Sequence, residues 1–445
     1  MKGVIKILVN ICRLLLALTF IFSGYVKAID PIGTQYKIQD YLEAVGMVGV
    51  VPDWITLSTS IFLSAVEFAV GICMFFAIRR RIVARITFCF MLVMTSITLW
   101  LVIANPIKDC GCFGDAIHLT NTQTLLKNVI LLVFSAILLK WPRYMIRFIS
   151  NTNQWIAVNY TIIFIVASSI YCLYDLPMFD FRPYHVGASI PEGMKIPEGA
   201  KQPKFETTFI LEKNGERKEF SIDNYPDSTW TFIDSKTVQT EEGFVPAIHD
   251  FSIENQQTGD DLTQQILENK GYTFLLIAPY VEQADDSNFG DIDQIYEYAQ
   301  EKGYPFYCLT ASNQKGINKW KDLTGAEYPF YTTDATTLKT IIRSNPGLLL
   351  LKNGIVLQKW SHNKLPKFDV ATTPVLEKTE YGKLPSDNIP AKILRILLGF
   401  ILPLLLLSIA DRMWAWTKWV KRKENSNKIY QLFKRKENEK ENCSR

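Results

Sequence analysis

Histidine is scarce in this chain, with 4 among 445 residues. His185, His249 and His362 are scattered, with no metal-ligand spacing among them, and read as surface or loop residues. A phosphate-cradling glycine loop, a nucleophile elbow and a zinc-protease helix are all missing, which removes the usual signatures of nucleotide-dependent enzymes, serine hydrolases and metalloproteases. Long internal repeats are absent too, so solenoids and propellers are excluded. Charged residues make up only 21% of the chain, too few for a disordered acidic or basic tract to dominate it. No clean small-x-small cleavage site follows the first apolar run. That run is also too long for the core of a signal peptide and reads as a retained helix.

What is present is unevenly spread. The mean hydropathy of +0.07 is high for a soluble protein. The formal charge of +4 is a cancellation: residues 175–390 hold 21 Lys and Arg against 32 Asp and Glu, a net of −11, while the rest holds 27 against 12, a net of +15. Six apolar stretches, 7–29, 55–78, 82–104, 122–140, 155–174 and 393–413, approach or exceed the ~20 residues a membrane-crossing helix needs. Lys and Arg set their direction. Arg79, Arg80, Arg81 and Arg85 lie between helices two and three, Lys140, Arg143 and Arg147 between four and five, and a run from Arg412 to Arg445 follows helix six. All three segments fall on one side, so both termini are expected in the cytoplasm. The loops 30–54 and 106–121 and the acidic region 175–390 are then outside, which in a bacterium with an inner membrane means the periplasm. Beside a helix end, the basic tail reads as an anchor on anionic membrane lipid and not as a nucleic-acid site.

This topology sorts the 8 cysteines. Cys12, Cys73 and Cys89 lie in the cytoplasmic halves of helices one to three and read as small apolar packers. Cys443 lies in the reducing compartment. Cys110 and Cys112 occupy the outer loop, and Cys172 is near the outer end of helix five. In Cys110-Gly111-Cys112-Phe113-Gly114-Asp115, two thiols one residue apart can close only a small, strained ring, which suits exchange better than structural bridging. Lys108 would favour a thiolate there, whereas Asp109 and Asp115 would oppose it. A merely structural turn and a metal site with His118 are the competing readings. Glu67, near the middle of helix two, is an intramembrane ionisable group and therefore a functional candidate; a hydrogen-bonded interhelical contact is its plainer reading.

Phe22-Ser23-Gly24-Tyr25-Val26-Lys27 with Asp30-Pro31, then Glu67 and Gly71, the Cys-Gly-Cys-Phe-Gly-Asp loop, and Lys127-Asn128 together resemble the four-helix DoxX/MauE family over about residues 1–141. That family is similar in architecture to the core of quinone-linked disulfide-forming enzymes. The resemblance implies a membrane redox role with Cys110 and Cys112 as the dithiol and a quinone as candidate cofactor. It also matches Lys27 and Glu67 to family positions without giving them a role. A second outer cysteine pair is lacking, which leaves Cys172 as the candidate resolving thiol.

The outer region begins with a Pro- and Gly-rich strap over 177–203. A hairpin is expected at 205–211 and 217–222, turning at Asn214-Gly215, with a third strand at 229–233 and a helix from Asp260 or Asp261 to Asn269. From Tyr272 strands and helices alternate: strand 272–278, helix 291–302, strand 305–310, helices 314–323 and 337–343, and a hairpin of 348–351 with 355–360 around Asn353-Gly354. This order resembles the thioredoxin fold over about 262–362, with Pro346 matching its cis-proline. The segment from Ala278 to Phe289, where that fold carries its dithiol, has no cysteine, so the domain cannot run exchange chemistry alone. Cys308, inside a strand, reads as a buried structural residue.

The expected fold class is therefore an α-helical membrane bundle of six transmembrane helices plus an α/β thioredoxin-like extracytoplasmic domain. Its parts are a four-helix domain (1–141), a fifth spanning helix (142–176), a β-rich lead-in (177–260), the thioredoxin-like domain (261–390), a sixth spanning helix (391–414) and a basic tail (415–445). Three functions compete. The first is thiol–disulfide exchange through Cys110 and Cys112 with a periplasmic protein client. The second is a non-catalytic, membrane-anchored binding or assembly factor. The third is transport with Glu67 as a proton relay, which no inverted repeat or broken helix supports.

Overall fold

A computed structural model describes residues 2–47, 49–107, 109–197, 199–200, 204–213, 216–221, 231–241, 244–256, 258–386 and 388–443, and for 204–241 and 423–443 the backbone only. Lys108 and the expected Asn214-Gly215 turn lie outside the described residues. The chain divides into two compact units, Met1–Phe181 with Ser386–Arg445, and Arg182–Pro385.

The first unit holds α1 (Lys2–Ile29), α2 (Pro31–Ala44), α3 (Asp53–Phe76), α4 (Arg80–Ala104), α5 (Asn121–Lys140), α6 (Gln154–Tyr174) and, last in chain order, α12 (Ile389–Cys443). All except α2 are long and apolar enough to cross a membrane, α12 through its Ile389–Arg422 portion. This is a multi-pass membrane protein. Leu15, Phe62, Val133, Ile163 and Leu402 point outward, while Thr56, Ser60, Ser64, Thr98, Asn128 and Thr161 are buried. Lipid tails are as apolar as leucine, so small and polar residues, not large apolar ones, bring such helices together. Gly24 and Gly71 do this between α1 and α3. A Cβ on Gly24 would stand 2.5 Å from the Phe68 nitrogen, and one on Gly71 would stand 2.8 Å from that of Ile21. Asn128 Nδ2 donates to Thr98 Oγ1 (3.3 Å), joining α5 to α4. Asp411 of α12 accepts from Ser150 N, Ser150 Oγ and Asn153 Nδ2 at 2.7, 2.6 and 2.7 Å, fixing that helix at the start of α6.

Helix α2 lies in the stretch read above as a loop. Its signal is the Asp30-Pro31 pair: Asp30 Oδ1 accepts from Gly33 N (2.9 Å), and Pro31 starts the helix where its missing N–H costs nothing. Gln35 Nε2 then donates to Asp53 O (3.1 Å) and Thr56 Oγ1 (3.2 Å), tying α2 to the head of α3.

The second unit runs through α7 (Ile190–Met194), β1 (Lys204–Lys213), β2 (Glu216–Ser221), β3 (Thr231–Glu241), α8 (Thr263–Leu267), β4 (Tyr272–Ile277), α9 (Phe289–Glu301), β5 (Phe306–Thr310), α10 (Gln314–Thr324), β6 (Phe330–Thr332), α11 (Ala335–Ile341), β7 (Gly347–Lys352) and β8 (Ile355–Ser361). Strands β1 to β3 form an antiparallel sheet in the order β2-β1-β3. The remaining strands form a mixed five-stranded sheet, β6-β5-β4-β7-β8, in which β4, β5 and β6 are parallel, β7 is antiparallel to β4, and β8 is antiparallel to β7. Every residue of β4 is buried, as its unbroken apolar run requires of a central strand. Phe274 and Leu276 point into a core with Ile295, Tyr298, Trp320 and Leu350. Asn353 and Gly354 turn β7 into β8 with φ of 51° and 70°, the mirror-image turn that suits strand twist. Strand β6 escaped the sequence reading because three residues cannot show an alternation. The strap is sewn to one sheet edge, where Gly187 N and Ala188 O bond Val356 of β8 (2.8 and 2.9 Å), and at the other edge Glu254, in the segment before α8, pairs with Thr332 of β6 (2.9 and 2.7 Å). Both otherwise open edges are thereby covered.

Candidate functional site

The link from α4 to α5 is folded in against α1 and α2. Cys110 and Cys112 are buried there, 6% and 8% exposed. Two hydroxyls hold the loop down: Ser23 Oγ donates to Cys112 O (2.6 Å) and Tyr41 Oη to Cys110 O (3.0 Å). Gly111 N donates to Asp109 Oδ1 (3.1 Å), and Gly111 has φ of +66°, a conformation that residues with a Cβ rarely adopt. A Cβ there would also lie 3.0 Å from Lys37 Cγ of α2. Phe113 packs on Phe22 of α1 (centroids 5.6 Å apart), and Lys127 Nζ stands 4.2 Å above the Phe113 ring.

Beneath the loop, Lys27 Nζ lies 2.7 Å from Glu67 Oε2, with the two side chains 6% and 7% exposed. The sequence named both residues and did not pair them. Ser23 and Lys27 are four residues apart on α1 and share a face, so the hydroxyl holding Cys112 and the ammonium holding Glu67 lie one turn apart. Both loop cysteines feel the Lys27 charge. The thiols themselves are unequal. Cys110 is lowered to about 7, first by the hydrogen bond from Cys112, then by Tyr41, Lys127 and Lys27, against the opposing effect of burial. Cys112 is raised well above its usual value, because it is the donor in that bond and because it is buried. Both are free thiols. Tyr41, Lys127 and Ser23 surround the two thiols without having been singled out by sequence reasoning, and Ser23 was visible only within the Phe22–Lys27 motif. Lys127 was visible only within the Lys127-Asn128 pair.

Cys172 of α6 is buried beside Tyr25. Tyr25 and Lys27 are two residues apart on a helix and point nearly opposite ways, so Cys172 meets α1 on the far side from the Lys27 face. Along that other flank runs an apolar cavity of about 800 Å³, walled by Phe22, Tyr25, Phe68, Phe164 and Phe400.

In the second unit the Asn345–Pro346 peptide bond is cis. Asn345 O accepts from Asp285 N (2.9 Å), and Asn345 Nδ2 donates to Tyr280 O (3.0 Å), so this turn faces the segment that follows β4. His362 is not the surface residue expected above. Its Nδ1 lies 2.9 Å from Ser344 Oγ and its Nε2 3.6 Å from Asp285 Oδ2, and burial depresses its pKa despite Asp285. Cys308 is fully buried in the sheet, which pushes its thiol up.

No curated protein and no solved structure matches the chain. Residues 205–242 match a family model described as a domain of unknown function (DUF8463). Residues 5–141, which carry α1 to α5, the Lys27–Glu67 pair and the two loop thiols, match the family model of methylamine utilisation protein MauE.

Proposed function

We propose that this membrane protein is a thiol–disulfide exchange protein in which Cys110 and Cys112 cycle between dithiol and disulfide on an extracytoplasmic protein client. The observation that carries the reading is geometric: two buried thiols one residue apart in a loop pinned by Ser23 and Tyr41, with the Lys27 and Lys127 charges within reach of both. In the dithiol form the Cys110 thiolate attacks one sulfur of a client disulfide and releases a client thiolate. Cys112 gives up its proton, attacks Cys110 Sγ and closes the Cys110–Cys112 bond as the second client sulfur leaves. Two electrons move from this pair to the client, and the reverse sequence oxidises a client dithiol. The short spacing strains the ring and favours that reverse direction. Lys27 and Lys127 favour the thiolate in both directions, and Glu67 keeps Lys27 in place. Cys172, on the other flank of α1, stands outside the cycle.

The positive-inside argument supports the loop and the second unit lying on the periplasmic face of a bacterial inner membrane, with both termini in the cytoplasm. The aromatic cavity suits an isoprenoid quinone: Phe22, Tyr25, Phe68, Phe164 and Phe400 would hold it, and such a group would supply a two-electron acceptor. We read the second unit as thioredoxin-like, a reading supported by its three parallel strands, its closing β7–β8 hairpin and cis Pro346. With no cysteine in residues 278–289, the segment that follows β4, we read its role as recognition.

A Cys112→Ser variant tests the proposal, because it leaves Cys110 able to attack and unable to be released. A mixed disulfide with a client, absent in Cys110→Ser, is expected. The cysteine-free segment after β4 favours a second reading, a binding or assembly factor. That reading stands if crosslinking captures the same partner in wild type and the double Ser variant while no mixed disulfide ever forms.

A further inference from the structure

At the end of the bundle opposite the thiol loop is a cavity of about 600 Å³ lined by Arg79, Arg80, Arg81, Arg143, Arg147 and Gln154. Among the described residues none of these five guanidinium groups has a carboxylate partner. Arg80 alone is spent on the fold, donating to Arg143 O (2.9 Å) and Met145 O (2.7 Å) and so holding the Arg143 segment against the start of α4. Asp411 approaches the start of α6, but its oxygens are held by Ser150 and Asn153 and it does not line the cavity.

Two helices begin at this cavity, α4 at Arg80 and α6 at Gln154, and neither has a side-chain hydrogen bond capping its first turn. Each start carries a partial positive charge and N–H groups in need of acceptors. Arg79, which precedes α4, has φ of 38°, and its backbone N–H donates to Gln154 Oε1 (3.3 Å), joining the two helix starts. Positive charge for membrane orientation needs only that Lys and Arg lie near the surface. It does not require five arginines around one hollow where two uncapped helices meet.

We infer that this cavity is a binding site for a ligand whose phosphate groups together carry more than one negative charge. Guanidinium forks match phosphate oxygens in pairs, and helix starts add aligned N–H donors. The phosphate is either a lipid headgroup or a soluble polyphosphate, and the two sources separate experimentally.

The test uses the full chain stripped of lipid in detergent. Cardiolipin binding is followed by native mass spectrometry and pyrophosphate binding by calorimetry, and nanodiscs of phosphatidylcholine with and without cardiolipin repeat the comparison in a bilayer. The variant is Arg143→Gln with Arg147→Gln, both exposed and free of fold contacts through their side chains. The control is Lys418→Gln with Lys421→Gln on α12, which removes equal charge elsewhere. The arginine variant is expected to bind about tenfold or more weakly, as losing charge-assisted phosphate contacts requires, with the control nearly unchanged. Loss confined to cardiolipin identifies a lipid headgroup, and loss confined to pyrophosphate a soluble ligand. If wild type binds neither probe better than the arginine variant, or the lysine control loses as much, the site does not exist.

Discussion

Lys27 Nζ meets Glu67 Oε2 at 2.7 Å, both side chains buried where α1 crosses α3 and within electrostatic reach of the two loop thiols. Each charge makes the other tolerable in an apolar interior. Removing one partner strands the other, whereas removing both does not.

Lys27→Met and Glu67→Gln alone are therefore expected to destabilise the bundle, Lys27→Met by about 3–5 kcal/mol because it leaves a bare carboxylate, and the double variant Lys27→Met/Glu67→Met to recover most of that loss. Thermal or denaturant unfolding in detergent measures it. The double variant should nevertheless alkylate Cys110 more slowly at neutral pH, since the Lys27 charge that favours the thiolate is gone. Equal losses in all three variants would show that the two charges do not compensate each other.

Gly24 sets the distance between α1 and α3. Gly24→Ala would drive a methyl group to 2.5 Å from the Phe68 nitrogen, and a backbone atom cannot swing aside as a side chain can. A cost of about 1–3 kcal/mol is expected, with Lys27 displaced from Glu67. Gly3→Ala is the control, with nothing within 4 Å of the added carbon.

Cys110 alkylation should follow its thiolate, rising with pH through a midpoint of about 7 instead of the ~8.5 typical of a free thiol. Because the shift is downward, reactivity is already substantial at neutral pH and falls as the solution is acidified through the midpoint. Lys127→Met removes a positive charge and should move the midpoint upward. Site-resolved mass spectrometry of alkylation at several pH values reads both effects. A midpoint near that of a free thiol in wild type, unmoved by the Lys127 change, would remove the basis for calling Cys110 a nucleophile.

The membrane helices were legible because about 20 consecutive apolar residues have few other uses; the bounds of the first five differ by at most five residues from those in the structure, whereas the sixth, expected to end near 413, continues as α12 to Cys443. The main sheet was legible from Tyr272 onward because its strand and helix periods differ. Helix α2 was not, since its face is weakly apolar and only Asp30-Pro31 marks its start. Lys27 and Glu67 were each conspicuous, but forty residues separate them in sequence, and only the close approach at Gly24 and Gly71 joins them. Tyr41 was hidden for the same reason, being brought to Cys110 by a helix the sequence did not announce. His362 looked isolated because Ser344 and Asp285 reach it from two other segments.

The most direct test of the exchange account is the redox state of Cys110 and Cys112 in cells, read by acid quenching and differential alkylation with and without reductant. The account predicts that both thiols are protected together in a fraction of the molecules and become alkylated together after reduction, and that a Cys110→Ser/Cys112→Ser variant loses function. If neither thiol changes state under any condition and the double variant behaves as wild type, the account is contradicted.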